Sequence, residues 1–207
     1  MTDHRGIPFD WSDDPMARMV NQTAFEILSR DPVRTPFQWD NTASAGFSNT
    51  TGRTWLPVHP NFGTVNLRAQ MAADRSTFKL YKRLIELRNS YRALEIGAYN
   101  FKVAGDYMFG FIRTAKGHPT VAVIINLSAT PTAIILNNFL DDEYSDGVSG
   151  RVLATTTGST VVMGSTIGGD SSITVGRFEA LVFEINGAPK IVASLIVVLC
   201  SLVRFAL

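Results

Sequence analysis

Two arginines stand four positions apart in the segment 29–40, SRDPVRTPFQWD, and each is followed two positions later by a proline. Proline fixes its own φ and restricts the residue before it, so Arg30 and Arg34 sit on a stiffened backbone. A guanidinium held in place offers five donors in a planar fork, which suits a carboxylate or a ring of sugar hydroxyls. The same side chains would serve equally to tie the loop to buried carboxylates or carbonyls, and residue types alone leave both uses open. Elsewhere the reactive residue types are poorly placed. His4, His59 and His118 are far apart, and none has a ligating partner at helical spacing, so no metal site is expected. No GxSxG, phosphate-loop or dinucleotide fingerprint occurs, and no cofactor is expected. The carboxylates at Asp13 and Asp14 and at Asp141, Asp142 and Glu143 read as solvated loop patches.

The arginines must be carried by a scaffold. Residues 1–60 are rich in Asp, Pro, Asn and Trp and keep neither a 3.6 nor a 2.0 period, so long ordered loops are expected there. Loops of that length in a compact domain are usually functional. A helix follows, with Ser76 as N-cap and with Phe78, Tyr81, Leu84, Ile85 and Arg88 at amphipathic spacing. The Lys and Arg residues along 68–92 read as a solvated helix face. Beyond Leu94 come short runs of high β-propensity at 99–103, 107–113, 120–126, 132–136, 151–156 and 178–185. Gly, Asn, Asp and Pro punctuate them as in an all-β sandwich. The change of character places a domain boundary at 94/95, and residues 95–186 are expected to fold separately.

Of the 207 residues 45% are hydrophobic and 18% charged, which excludes disorder as the dominant state. The length falls short of a complete (β/α)8 barrel of about 250 residues. A net charge of +1 leaves no electrostatic footprint for nucleic acid. The single cysteine, Cys200, excludes a disulfide within one chain. It lies in the apolar tail 187–207, where 14 of the last 17 residues are apolar. A membrane helix would be short for a bilayer, and a C-terminal glycosylphosphatidylinositol signal fits better, with Asn186 and Gly187 as candidate anchor sites. Sequons at Asn21, Asn49 and Asn126 are candidate glycosylation sites and agree with an extracellular or cell-surface location, anchored through the tail.

The arginine segment is followed by NTASAGFS at 41–48, WLPVHPNF at 55–62 and FKLYKRLIELR at 78–88. In this order the motifs resemble the insect maltase and oligo-1,6-glucosidase branch of glycoside hydrolase family 13. The resemblance implies a mixed fold: residues 1–94 as the C-terminal part of a catalytic (β/α)8 barrel and residues 95–186 as an antiparallel β-sandwich. It implies an α-glucosidase acting on α-linked glucosides with retention. Arg30 would fix the terminal glucose, with Arg34 as a second candidate. It also implies that the carboxylates of such an enzyme lie on earlier barrel strands, ahead of MTDHRGI, so no catalytic residue is assigned here and this stretch alone is expected to be inactive. The alternative is a non-catalytic relative, a transporter heavy subunit or a surface receptor.

Overall fold

A computed structural model describes residues 3–49, 52–140, 144 and 147–187. Asp141, Asp142, Glu143, Cys200 and the tail from 188 onward lie outside the described residues. The chain divides into two compact units, Met1–Lys79 and Leu80–Leu207.

The N-terminal unit is mostly loop, as its lack of period requires. Three short helices, α1 (Pro15–Arg18), α2 (Gln22–Leu28) and α3 (Leu67–Ala72), each begin on a side-chain cap, from Asp14, Asn21 and Asn66. Such caps satisfy amide donors that a short helix cannot pair internally. The 3-10 turns Phe9–Trp11, Asp31–Val33, Ala43–Gly46 and Pro60–Gly63 join them. Ile7, Ala17, Phe25 and Leu56 form a small core, with Phe9 and Trp11 against it.

Helix α4 (Thr77–Ser90) crosses from one unit into the other. Ser76 is its cap, since the Ser76 hydroxyl accepts the N–H of Lys79 at 3.2 Å. The face it buries differs from the expected one. Leu87 is buried, and Leu80, Tyr91 and Leu94 pack beside it, whereas Tyr81, Leu84 and Ile85 are exposed. The helix is apolar over two arcs, and spacing alone could not tell which of them meets the sheet.

The C-terminal unit opens with α5 (Arg92–Ile96). Its main sheet has the order β1 (Ala98–Val103), β2 (Met108–Thr114), β3 (Thr120–Asn126), β8 (Ala180–Asn186), β5 (Ser149–Thr155) and β6 (Thr166–Gly168). A second sheet pairs β4 (Thr132–Ile135) with β7 (Ser172–Val175), and every pairing in both sheets is antiparallel. Ile134, Ile173 and Val175 of the small sheet and helix α6 (Leu136–Leu140) cover one face of the main sheet, over Ile112, Ile124 and Phe183. The approach is close: a Cβ on Gly110 would lie 2.8 Å from the Phe139 ring. The other face packs Val121, Leu153, Ala154 and Val182 against Leu80 and Leu87. One register shift interrupts the ladder, between Val152, opposite Phe183, and Ala154, opposite Val182. Leu153 is the extra residue of a β-bulge, which lets Leu153 and Ala154 both reach the helix side.

The compact units part at 79/80, whereas the change in sequence character lies at 94/95. The two lines mark different things, the first where contacts thin out and the second where the periodicity changes.

Candidate functional site

The arginine segment starts where α2 ends. Arg30 is clamped along its length by one carboxylate: its backbone N–H and Nε donate to Oδ2 of Asp14 at 2.9 and 3.0 Å, and Nη2 donates to Oδ1 at 2.6 Å. The Asp14 side chain is wholly buried, while 52% of the Arg30 side chain remains exposed. Oδ1 of Asp14 also accepts the N–H of Met16 and so caps α1. The Arg30 fork holds the Asp14 carboxyl well below the usual carboxylate range, and the Asp14 carboxylate in turn raises the Arg30 guanidinium. Asp31, also buried, accepts from the Ser12 hydroxyl at 2.7 Å and from the N–H groups of Asp13 and Asp14. Two buried carboxylates thus fold the loop around the base of one guanidinium, whose outer half faces solvent.

Arg34 is exposed, and among the described residues its backbone rather than its fork is committed. Its N–H donates to the Asp31 carbonyl at 2.9 Å, and its own carbonyl accepts Nε1 of Trp55 at 3.0 Å. Gln38 is buried and donates to Oδ1 of Asn61 and to the Val65 carbonyl, both at 2.8 Å. Asp40 is held below its ordinary value by hydrogen bonds from the Thr42 hydroxyl and N–H, with Arg68 at 3.3 Å adding to the effect. Ser44, Ala45 and Gly46 take consecutive positive φ angles of 52°, 55° and 66°. At Gly46 a Cβ would lie 2.7 Å from Oδ1 of Asp40, so a larger residue there would have to push the Asp40 carboxylate aside as well as adopt a positive φ.

The structure therefore brings Arg30 and Asp14 together, with Arg34 next along the chain, on one loop framework. Asp14 is not a solvated patch as expected but the buried anchor of Arg30; Asp13, its neighbour, is exposed and pairs with Arg18. The Asp-Pro step at 14–15 was the available signal, since Asp followed by Pro is a helix start. Among the described residues no group of three or more His, Cys, Asp or Glu side chains could hold a metal ion. His4 and His59, read from sequence as unconnected, meet with ring centroids 4.9 Å apart.

The sequons differ sharply. Asn21 is exposed and caps α2 through its oxygen, and Asn49 is exposed. Asn126 is fully buried, with Nδ2 donating to the carbonyls of Thr130, Val175 and Gly176 at 2.8, 3.2 and 2.9 Å. A glycan on that nitrogen has no room beside these carbonyls, so Asn126 serves the fold. Asn186 and Gly187, at the end of β8, are exposed. Among the described residues no helix is long and apolar enough to cross a membrane.

Residues 4–97 match the family described as alpha amylase, catalytic domain. The chain is 38% identical to maltase 1 of Drosophila virilis over 141 residues, covering 68% of this chain and 22% of that protein. It is 39% identical over 126 residues to a salivary alpha-glucosidase of Anopheles gambiae, covering 60% of this chain and 21% of the relative. The trehalulose synthase of Pseudomonas mesoacidophila superposes with a TM-score of 0.71 at 25% identity, over 90% of this chain and 34% of that one. A mutant of the same synthase in complex with the substrate sucrose superposes at 0.70 and 26% identity, with the same coverage of each chain. The chain spans about a fifth of the length of these two curated relatives.

Proposed function

We propose, on the premise that this chain is a relative of the α-glucosidases of glycoside hydrolase family 13, that it forms the C-terminal part of a retaining α-glucosidase. In this reading residues 1–94 complete a catalytic (β/α)8 barrel, and residues 95–186 form the antiparallel β-sandwich that follows it. The exposed apolar arc of α4, with Tyr81, Leu84 and Ile85, is where further barrel elements pack. Arg30 fixes a terminal glucose unit, with Arg34 at the edge of the same sugar site. The observation that carries this is the buried Asp14 carboxylate, which aims one guanidinium and leaves its outer half free for a ligand. A retaining enzyme needs two carboxyl groups about 5 to 5.5 Å apart, one as nucleophile and one as acid/base. Asp14 and Asp31 are spent on Arg30 and on loop donors, so in this reading the catalytic pair lies elsewhere in the enzyme, and these 207 residues alone do not turn over substrate. The salivary relatives favour a secreted enzyme.

The test is a hybrid in which residues 4–187 replace the matching segment of the Drosophila virilis maltase. It should hydrolyse a chromogenic α-glucoside, and Arg30→Ala in it should lower kcat/KM at least about tenfold, as expected for a charge-assisted hydrogen bond of about 1.5 to 3 kcal/mol. A folded hybrid without activity would favour a non-catalytic relative, and unchanged kinetics in Arg30→Ala would return Arg30 to a purely structural role.

A further inference from the structure

All three tryptophans, Trp11, Trp39 and Trp55, lie in the N-terminal unit, and two of them are used by the loops themselves. The Arg53 guanidinium lies over the Trp11 ring, 3.7 Å from its centroid. Trp55 gives its Nε1 to the Arg34 carbonyl and meets Phe47 edge-on. Trp39 differs. The residue is 49% exposed, and among the described residues no acceptor meets its Nε1. Together with Asp40, Leu67, Arg68, Met71 and Ala72 it lines a cavity of about 560 Å³, within the size range of small-ligand sites.

The surroundings hold this wall in place. Ser44 and Ala45 both stand in the left-handed region, where a residue with a side chain is strained and persists only if the rest of the loop enforces it. What the turn gains is the carbonyl of the buried Ala45, aimed back along the chain to accept the N–H groups of Trp39 and Asp40 at 2.9 and 3.2 Å. The Trp39 carbonyl in turn accepts the N–H of Arg68 at 3.0 Å, and Phe37 rests against the indole with ring centroids 4.7 Å apart. Oδ1 of Asp40 accepts from the Thr42 N–H and hydroxyl, while Oδ2 lies 3.3 Å from Nη2 of Arg68. An indole thus stands beside a fixed carboxylate and a guanidinium whose side chain is 70% exposed.

The chemistry of this trio selects its ligand. Charge of either sign is disfavoured, because Asp40 repels an anion and Arg68 repels a cation. A pyranose ring is neutral, offers C–H groups on one face to an indole, and carries neighbouring hydroxyls that can donate to a carboxylate and accept from a guanidinium. We propose that Trp39, Asp40 and Arg68 form a binding site for one pyranose unit of an oligosaccharide, with the indole as platform and the ion pair as polar edge. Binding there requires no catalytic pair, so the site stands whether or not the chain serves an active glucosidase.

NMR of the isotope-labelled full chain gives one indole N–H signal per tryptophan, assigned through the backbone without any variant. Maltotriose or mannotriose should move the Trp39 signal saturably, with a Kd of the order of millimolar, and movement with either sugar supports the site. Arg68→Ala removes a largely exposed side chain and keeps the backbone bond to Trp39. With the Trp11 and Trp55 signals in place as a check on the fold, it should weaken binding at least about fivefold, the loss expected for a charge-assisted hydrogen bond. A Trp39 signal that stays still through roughly tens of millimolar of both sugars would overturn the site. So would an equal movement with glycerol, which has the hydroxyls without the ring, or a folded Arg68→Ala chain that binds as tightly as the wild type.

Discussion

Asp14 links the chemistry of Arg30 to the stability of its loop. Its carboxyl is held below the ordinary value of 3.8 by the Arg30 fork, so the folded state releases a proton more readily than the unfolded chain. The stabilisation is then present above about pH 4 and withdrawn as the pH falls below it. Asp14→Asn should flatten this acid limb in tryptophan fluorescence and lower the midpoint even at pH 7. Retention of the wild-type acid limb would show that other carboxylates set it. Asn126 makes the second residue-scale prediction. Truncation to Ala would strand the buried Val175 carbonyl at about 1 to 3 kcal/mol and take a donor from the part-buried carbonyls of Thr130 and Gly176. Asn126→Ala should lower stability by about 3 kcal/mol in denaturant melts read by circular dichroism. Peptide mapping of secreted protein should find Asn126 without glycan, whatever the occupancy of Asn21 and Asn49. The arginines were legible in the sequence because two cations beside prolines on one loop are uncommon. Their anchor was not, because an aspartate pair at a helix start has the same spelling whether it faces water or a guanidinium.

At the scale of elements, sequence reading located the major strands to within two residues and found α4 with its cap. It missed β6 and β7, three and four residues long in a Gly-, Ser- and Thr-rich stretch, because such short strands owe their form to pairing rather than propensity. It read the start of α6 as the end of a strand, since Leu136 continues the apolar run of β4 and only the sheet beneath decides where the chain turns helical. The two apolar arcs of α4 separate energetically. Leu87→Ala should cost about 2 to 5 kcal/mol through the cavity it leaves over Val121 and Val182. Ile85→Ala, on the exposed arc, should stay within about 0.5 kcal/mol in the chain by itself. Comparable losses at both positions would mean that the outer arc is also covered.

For the whole molecule, the division at 79/80 means that α4 stays with the sheet. A fragment starting at residue 95 would uncover Val121, Leu153 and Val182, whereas one starting before Thr77 keeps Leu80 and Leu87 over them. Limited trypsin digestion should therefore leave a resistant piece beginning at Ser76, after cleavage at Arg75. A resistant piece beginning at Ala93, after cleavage at Arg92, would place the boundary beyond the helix. The bulge at Leu153 bears on how such a sheet changes over evolutionary time. Removing one residue from the middle of a regular strand turns every side chain beyond it inside out. At position 153 the partners on either side, Val152 with Phe183 and Ala154 with Val182, already stand in adjacent rungs, so a deletion there would straighten the strand without reversing anything else. A one-residue change in the length of this strand is therefore borne best at position 153, at the expense of the Leu153 side chain packed beside Leu87.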